Sequence, residues 1–189
     1  MGRLTTNILV LAAVIGSQTA ASQSLTSGSW MTETGMVEFT SSVPFHTFTG
    51  TSHSLTGAIS LADSTVDFYI DLSTLKTGIG KRDKDMRLSL NVKEYPFAEF
   101  FGRLITKFDP SSSIAQTVTV EGVFMMHGVQ KTTRFSGTLQ TLGAQLVLEA
   151  AWELNLDDFD IVPPKLLIMK VDEIQKVRIS VTMDPVNSP

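Results

Sequence analysis

The sequence predicts an all-β protein: a single antiparallel up-and-down barrel of about eight strands, with one short helix near residues 81–90. Three observations carry the prediction. Apolar and polar residues alternate with a period of two through much of the chain. Turn-forming residues recur between these runs. One segment, "GKRDKDMRLSLNVKEYP" (residues 80–96), breaks the alternation with closely spaced charges of both signs.

The strands follow in order. "STVDFYIDLSTL" sets Val66, Phe68, Ile70 and Leu72 against Asp67, Tyr69, Asp71 and Ser73, the pattern of a strand with one apolar face. "TVTVEGVFMM" repeats it with Val118, Val120, Phe124 and Met126, and "AWELNLD" with Trp152, Leu154 and Leu156. "KVRISVTM" places Val177, Ile179, Val181 and Met183 on one parity, while "RFSGTLQTL" and "AQLVLEAAW" fit two further strands around Gly143. Turn signals stand at Ala62-Asp63-Ser64, Asp109-Pro110-Ser111, His127-Gly128 and Leu142-Gly143. Short connections of this kind favour an antiparallel meander, and closure of the sheet removes unpaired edges. In "KRDKDMRL", Asp83 or Asp85 is expected to cap a helix of one or two turns. Pro96 then forces Tyr95 towards an extended conformation and the next strand.

The ends and composition narrow the class. "MGRLTTNILVLAAVIGSQTAASQS" has one early cation, Arg3, an apolar run from Ile8 to Ile15, then small residues. The run is short of the ~20 residues a membrane span needs and fits a secretory signal over residues 1–22, cleaved after Ala21 or Ser22. A buried N-terminal helix is the alternative. Residues 23–35 then form an N-terminal extension, and 36–185 the barrel domain. With no cysteine, disulfides, thiol catalysis, thiolate metal sites and a lipid-bearing cysteine are all excluded. The expected location is the periplasm or the medium. A net charge of -4 without a basic stripe argues against nucleic acid.

No catalytic constellation stands out. His46, His53 and His127 form no His-x-x-x-His pair, and no Gly-x-Ser-x-Gly is present. His127 falls in a turn, where a structural hydrogen bond is the simpler role. Asp157 and Asp158 are adjacent, so on a strand their side chains diverge. No enzyme, metal or cofactor is expected.

Several segments, in order, resemble the YceI-like family of exported bacterial proteins. These are "VEFTSSVPFHTFTGTSHSLTGAISL" (Val37–Leu61), "GKRDKDMR", "YPFAEFFGRL", "VEGVFMMHGVQKTTRFSGTL" (Val120–Leu139), "LNLDDFDI" and "VDEIQKVRISVTM". The likeness covers about Met36 to Met183. It departs at Asp160, where the family often has glycine, and at Asn155–Asp157, which lack a common arginine. The resemblance implies a lipocalin-like barrel binding a polyisoprenoid lipid, of quinone or prenyl phosphate type.

If one parity of each strand faces inward, the interior is lined by Phe39, Ile59, Phe68, Ile70, Leu72, Phe100, Phe124, Met126 and Phe135, with Met86 contributed by the helix. Such a wall either packs solid or encloses an apolar ligand, and the pattern alone fits both. In a second, protein-binding reading the core is solid and exposed Tyr69, Phe101 and Trp30 mark the working surface. The charged segment has two roles open to it. As a lid, it turns Met86 and Leu88 inward and forms local ion pairs among Arg82, Asp83 and Arg87. As a head-group site, it offers Arg82 or Arg87 to a phosphate. An exposed edge strand would also let two barrels pair as a homodimer.

Overall fold

The computed structural model describes residues 28–43, 46–163, 165–166 and 169–186. The expected signal segment lies outside them. The elements are β1 (Ser29–Val43), β2 (His46–Ser60), β3 (Thr65–Asp71), α1 (Gly80–Ser89), β4 (Phe97–Leu104), β5 (Gln116–Met126), β6 (Val129–Leu142), β7 (Gln145–Asn155), β8 (Lys165–Leu166), β9 (Met169–Lys170) and β10 (Ile174–Pro185). Eight of the strands close into one antiparallel barrel in the order β1-β10-β7-β6-β5-β4-β3-β2. Among the described residues, the two-residue strands β8 and β9 pair with each other in a separate two-stranded sheet.

The β1–β10 ladder runs from Trp30↔Pro185 to Thr40↔Lys176 and seals the barrel. Pairing is partial in places: β6 and β7 are joined only from Gly137↔Ala150 to Leu142↔Gln145, and β2 and β3 only from Leu55↔Ile70 to Ser60↔Thr65. The first strand begins at Ser29, so residues 29–35 belong to the barrel and not to an extension.

Period-two alternation explains which side chains enter. In β3, Val66, Phe68 and Ile70 are buried while Asp67 and Tyr69 are exposed. The strand stops at Asp71, earlier than the alternation suggests. Its carboxylate accepts a hydrogen bond from the Ser73 amide, and Leu72 enters the core from a short 3-10 turn. The β5–β6 hairpin turns on His127 and Gly128, with φ of 54° and 79°. Two residues at positive φ are what a tight, right-twisted hairpin requires. A second 3-10 turn at Leu156–Phe159 carries Asp157 and Asp158, which are therefore not strand residues.

The two ends of the barrel differ. At the end holding the β6–β7 turn, Trp30, Leu146, Val181 and Met183 are almost wholly buried, none of them lines the cavity, and together they plug the barrel. Trp30, 1% exposed, cannot mark a surface; its indole Nε1 donates to the Ala144 carbonyl at 2.9 Å. At the other end lie α1 and the connection after β7.

Candidate ligand cavity

Above the plug the barrel is hollow. A cavity of about 230 Å³ is walled by side chains from all eight barrel strands and roofed by α1. On β5 the wall runs from Val118 to Met126. At ~3.4 Å per residue and a strand tilt near 40°, that is roughly 20 Å along the barrel axis.

All ten apolar residues expected inside line this cavity: Phe39, Ile59, Phe68, Ile70, Leu72, Met86, Phe100, Phe124, Met126 and Phe135. The structure adds Phe48, Trp152 and Leu154. Rings meet edge to face through the middle of the space. Phe135 stands 5.3 Å from Phe100 and 5.8 Å from Phe124, and it lies tilted 4.7 Å from Trp152. Phe124 also meets Phe159 at 5.4 Å. Edge-to-face rings resist being pushed together, because each positive edge already sits on a negative face. Trp152 and Leu154 share the apolar parity of "AWELNLD", a signal that could have placed them inside, whereas Phe48 lies in no run of clear alternation.

The helix presents a mixed face. Arg82, Asp85, Met86 and Ser89, spaced i, i+3, i+4 and i+7, line the cavity. Leu88 is two residues from Met86, hence on the opposite side, and is 65% exposed; it does not point inward as expected. Arg87 is absent from the wall, so of the two arginines expected at a head group only Arg82 is in place.

Nor do Arg82, Asp83 and Arg87 make the expected ion pairs. The helix's own pair is Lys81–Asp85, at 2.9 Å. Neither aspartate caps α1, whose N-cap is Ile79. Asp83 is 6% exposed and takes hydrogen bonds from the Thr77 amide at 2.8 Å and hydroxyl at 2.5 Å. The hydroxyl bond chiefly holds its carboxyl below the ordinary carboxylate range; burial opposes this, while the amide bond and the charge of Arg87 reinforce it. Arg82 completes the latch: its Nη2 donates to the Thr77 carbonyl at 2.8 Å, and its guanidinium lies 4.2 Å over the Phe48 ring. Three groups thus tie the start of α1 to one residue of the preceding loop.

The histidines stand apart from the cavity wall. His127 Nδ1 lies 3.0 Å from the Phe159 carbonyl, and its ring packs 5.1 Å from Tyr95. A carbonyl only accepts, so Nδ1 carries the proton. The imidazole joins the hairpin turn to the 156–159 turn. Lys131 pairs with Asp158 at 2.6 Å nearby. Among the described residues no cluster of three His, Asp or Glu side chains is placed to hold a metal.

A profile of the YceI-like domain matches residues 29–183. The chain belongs to the YceI-like family. Among solved structures, a polyisoprenoid binding domain from Saccharophagus degradans, implicated in plant cell wall breakdown, shares its fold. The TM-score is 0.72 at 18% identity, over 85% of this chain and 99% of that one. BcnA of Burkholderia cenocepacia matches with a TM-score of 0.65 and 14% identity, over 78% of this chain and 95% of that one. A YceI protein of Campylobacter jejuni matches at 0.55 and 14%, over 71% and 81%. No curated protein shows significant sequence similarity. In this YceI-like barrel Asp160 sits at φ 54°, ψ 30°, in left-handed backbone, a conformation that favours glycine. Among the described residues, no helix is long and apolar enough to cross a membrane.

Proposed function

We propose that this protein binds a long apolar lipid of polyisoprenoid kind, with a quinone or prenyl phosphate type of head, inside the barrel. It carries, stores or sequesters that lipid in the periplasm or outside the cell and performs no catalysis. The observation that carries this reading is the cavity: a space of about 230 Å³ with an almost wholly apolar wall. Water in it would find few partners, whereas a hydrocarbon tail gains about 0.8 kcal/mol per methylene removed from water. An eight-carbon stretch gains about 6 kcal/mol before the cost of association. Membership of the YceI-like family and the polyisoprenoid-binding neighbour support the same ligand class. A solid-core, protein-binding module has no use for the hollow half of the barrel.

Native mass spectrometry of the purified protein tests the proposal. Protein expressed with its natural lipids is expected to retain an apolar molecule, which organic extraction releases. A protein that carries nothing and shows no saturable uptake of prenyl lipids defeats it. Replacing Phe124 with Trp enlarges the ring in the middle of the cavity and is expected to lower uptake severalfold while the melting temperature moves little.

A further inference from the structure

The cavity wall is apolar but not entirely so. Ser41 Oγ, Arg82 Nε and Trp152 Nε1 are buried and have no hydrogen-bond partner among the described residues, and all three residues line the cavity. Ser41 is 1% exposed. The topology gathers them at the roofed half. Ser41 pairs with Phe48 across the β1–β2 ladder, and Arg82 stacks on that same ring. Phe39, two residues from Ser41 on the same face, pairs with Val177, which in turn pairs with Trp152. Three residues from distant parts of the chain, each with a buried polar atom lacking a partner, therefore share the wall of one apolar space.

Unpaired buried polar groups are costly, and native proteins keep few of them. A water would serve poorly, since two of the three groups only donate and its own hydrogens would be left short of acceptors. The chemistry of the three atoms is one-sided: the arginine Nε and the indole Nε1 only donate, and the serine hydroxyl also donates. What they lack is an acceptor. The charges beside them argue against an anion. Arg82 faces the space together with Asp85, and a phosphate buried there would lose several kcal/mol of hydration against one guanidinium already held by Thr77.

Taking the lipid-binding reading as given, we infer that the ligand carries an uncharged acceptor oxygen, such as a carbonyl, which Ser41, Arg82 and Trp152 receive at the roofed end of the cavity. These residues set specificity; the apolar wall sets affinity. The head-group class is thereby narrowed from quinone or phosphate to the uncharged kind.

The test compares three probes of similar tail by equilibrium dialysis with the full protein: β-farnesene, farnesylacetone and farnesyl monophosphate. The ketone is expected to bind about fivefold to tenfold more tightly than the hydrocarbon, the worth of one hydrogen bond. Ser41→Ala and Trp152→Phe should each shrink the ratio of ketone to hydrocarbon affinity, and that ratio, not the affinity for β-farnesene itself, is the readout. Ser41→Ala should also raise the melting temperature of the ligand-free protein, because it deletes an unpaired hydroxyl. Thr141→Val is the control: its hydroxyl is likewise buried and unpaired but is not on the cavity wall. It should raise stability without touching the preference. Equal binding of ketone and hydrocarbon overturns the inference, as does a preference that survives both variants or tightest binding of the phosphate. If no probe binds at all, the lipid-binding proposal falls with it.

Discussion

Replacing Asp83 with alanine removes the acceptor that holds both the amide and the hydroxyl of Thr77. Hydrogen bonds to a charged group contribute roughly 1.5–3 kcal/mol each when buried. Thr77 is half-exposed, so its freed donors turn to water, and the loss is expected at about 2–3 kcal/mol for the pair. It should fall first on α1, which has few other ties to the loop before it, and only then on the barrel. Two measurements separate these. Urea unfolding at pH 7 gives the global change, and amide exchange over residues 76–90 gives the local one. Asp83→Asn keeps one acceptor oxygen and should cost about half as much. The carboxyl's folded pKa lies below its unfolded value of 3.8. Between the two values the unfolded chain binds the extra proton, so stability rises with pH. The advantage of the wild type over Asp83→Asn is therefore complete above the unfolded value and shrinks as pH falls through the folded one. If Asp83→Ala alters stability by less than about 0.5 kcal/mol and leaves exchange in α1 unchanged, the latch is not what holds the roof.

Other positions offer independent checks. A Cβ at Gly122 would collide with the Phe101 carbonyl and the Gly102 backbone; Gly122→Ala is expected to cost about 1–3 kcal/mol in chemical denaturation, by forcing β4 and β5 apart. At Asp160, φ 54° costs alanine about 1–2 kcal/mol but costs glycine nothing. Asp160→Ala should thus lower the midpoint clearly and Asp160→Gly little. Truncating Leu146, 0% exposed in the plug, to alanine should cost about 2–5 kcal/mol. The cavity-lining Phe135 is only partly packed, so its truncation should cost less than burial in a solid core would.

Much of the architecture is legible because alternation is local. Successive side chains leave a strand on opposite faces whatever the rest of the chain does. Val66, Phe68 and Ile70, or Val177, Val181 and Met183, therefore declare their burial from the sequence. The errors sit where the backbone leaves that rule. Leu72 and Asp157 belong to 3-10 turns, and Leu88 belongs to a helix whose inward stripe is set by its 100° step and by what lies beneath. Asp83 read as a helix cap or an ion-pair partner because an acidic residue at the start of a charged run usually is one. Only the folded loop brings Thr77 round to satisfy it. Ser41 gave no signal at all: a small hydroxyl on the inward parity looks like a spacer.

The amino-acid order thus determined the strands, their turns, the inward-facing set and the existence of a charged helix between β3 and β4. Whether that inward set fills the barrel was decided only in three dimensions. Strand number and stagger fix the radius, and side-chain volume then fills it or does not. Here large residues near Trp30 and Met183 close one end, while beneath the α1 roof the ring-lined wall around Phe135 encloses a cavity. The placement of Ser41, Arg82 and Trp152 around that space depends on the docking of α1 and on ladders such as Phe39↔Val177, which join strands far apart in the chain, and no local pattern encodes those.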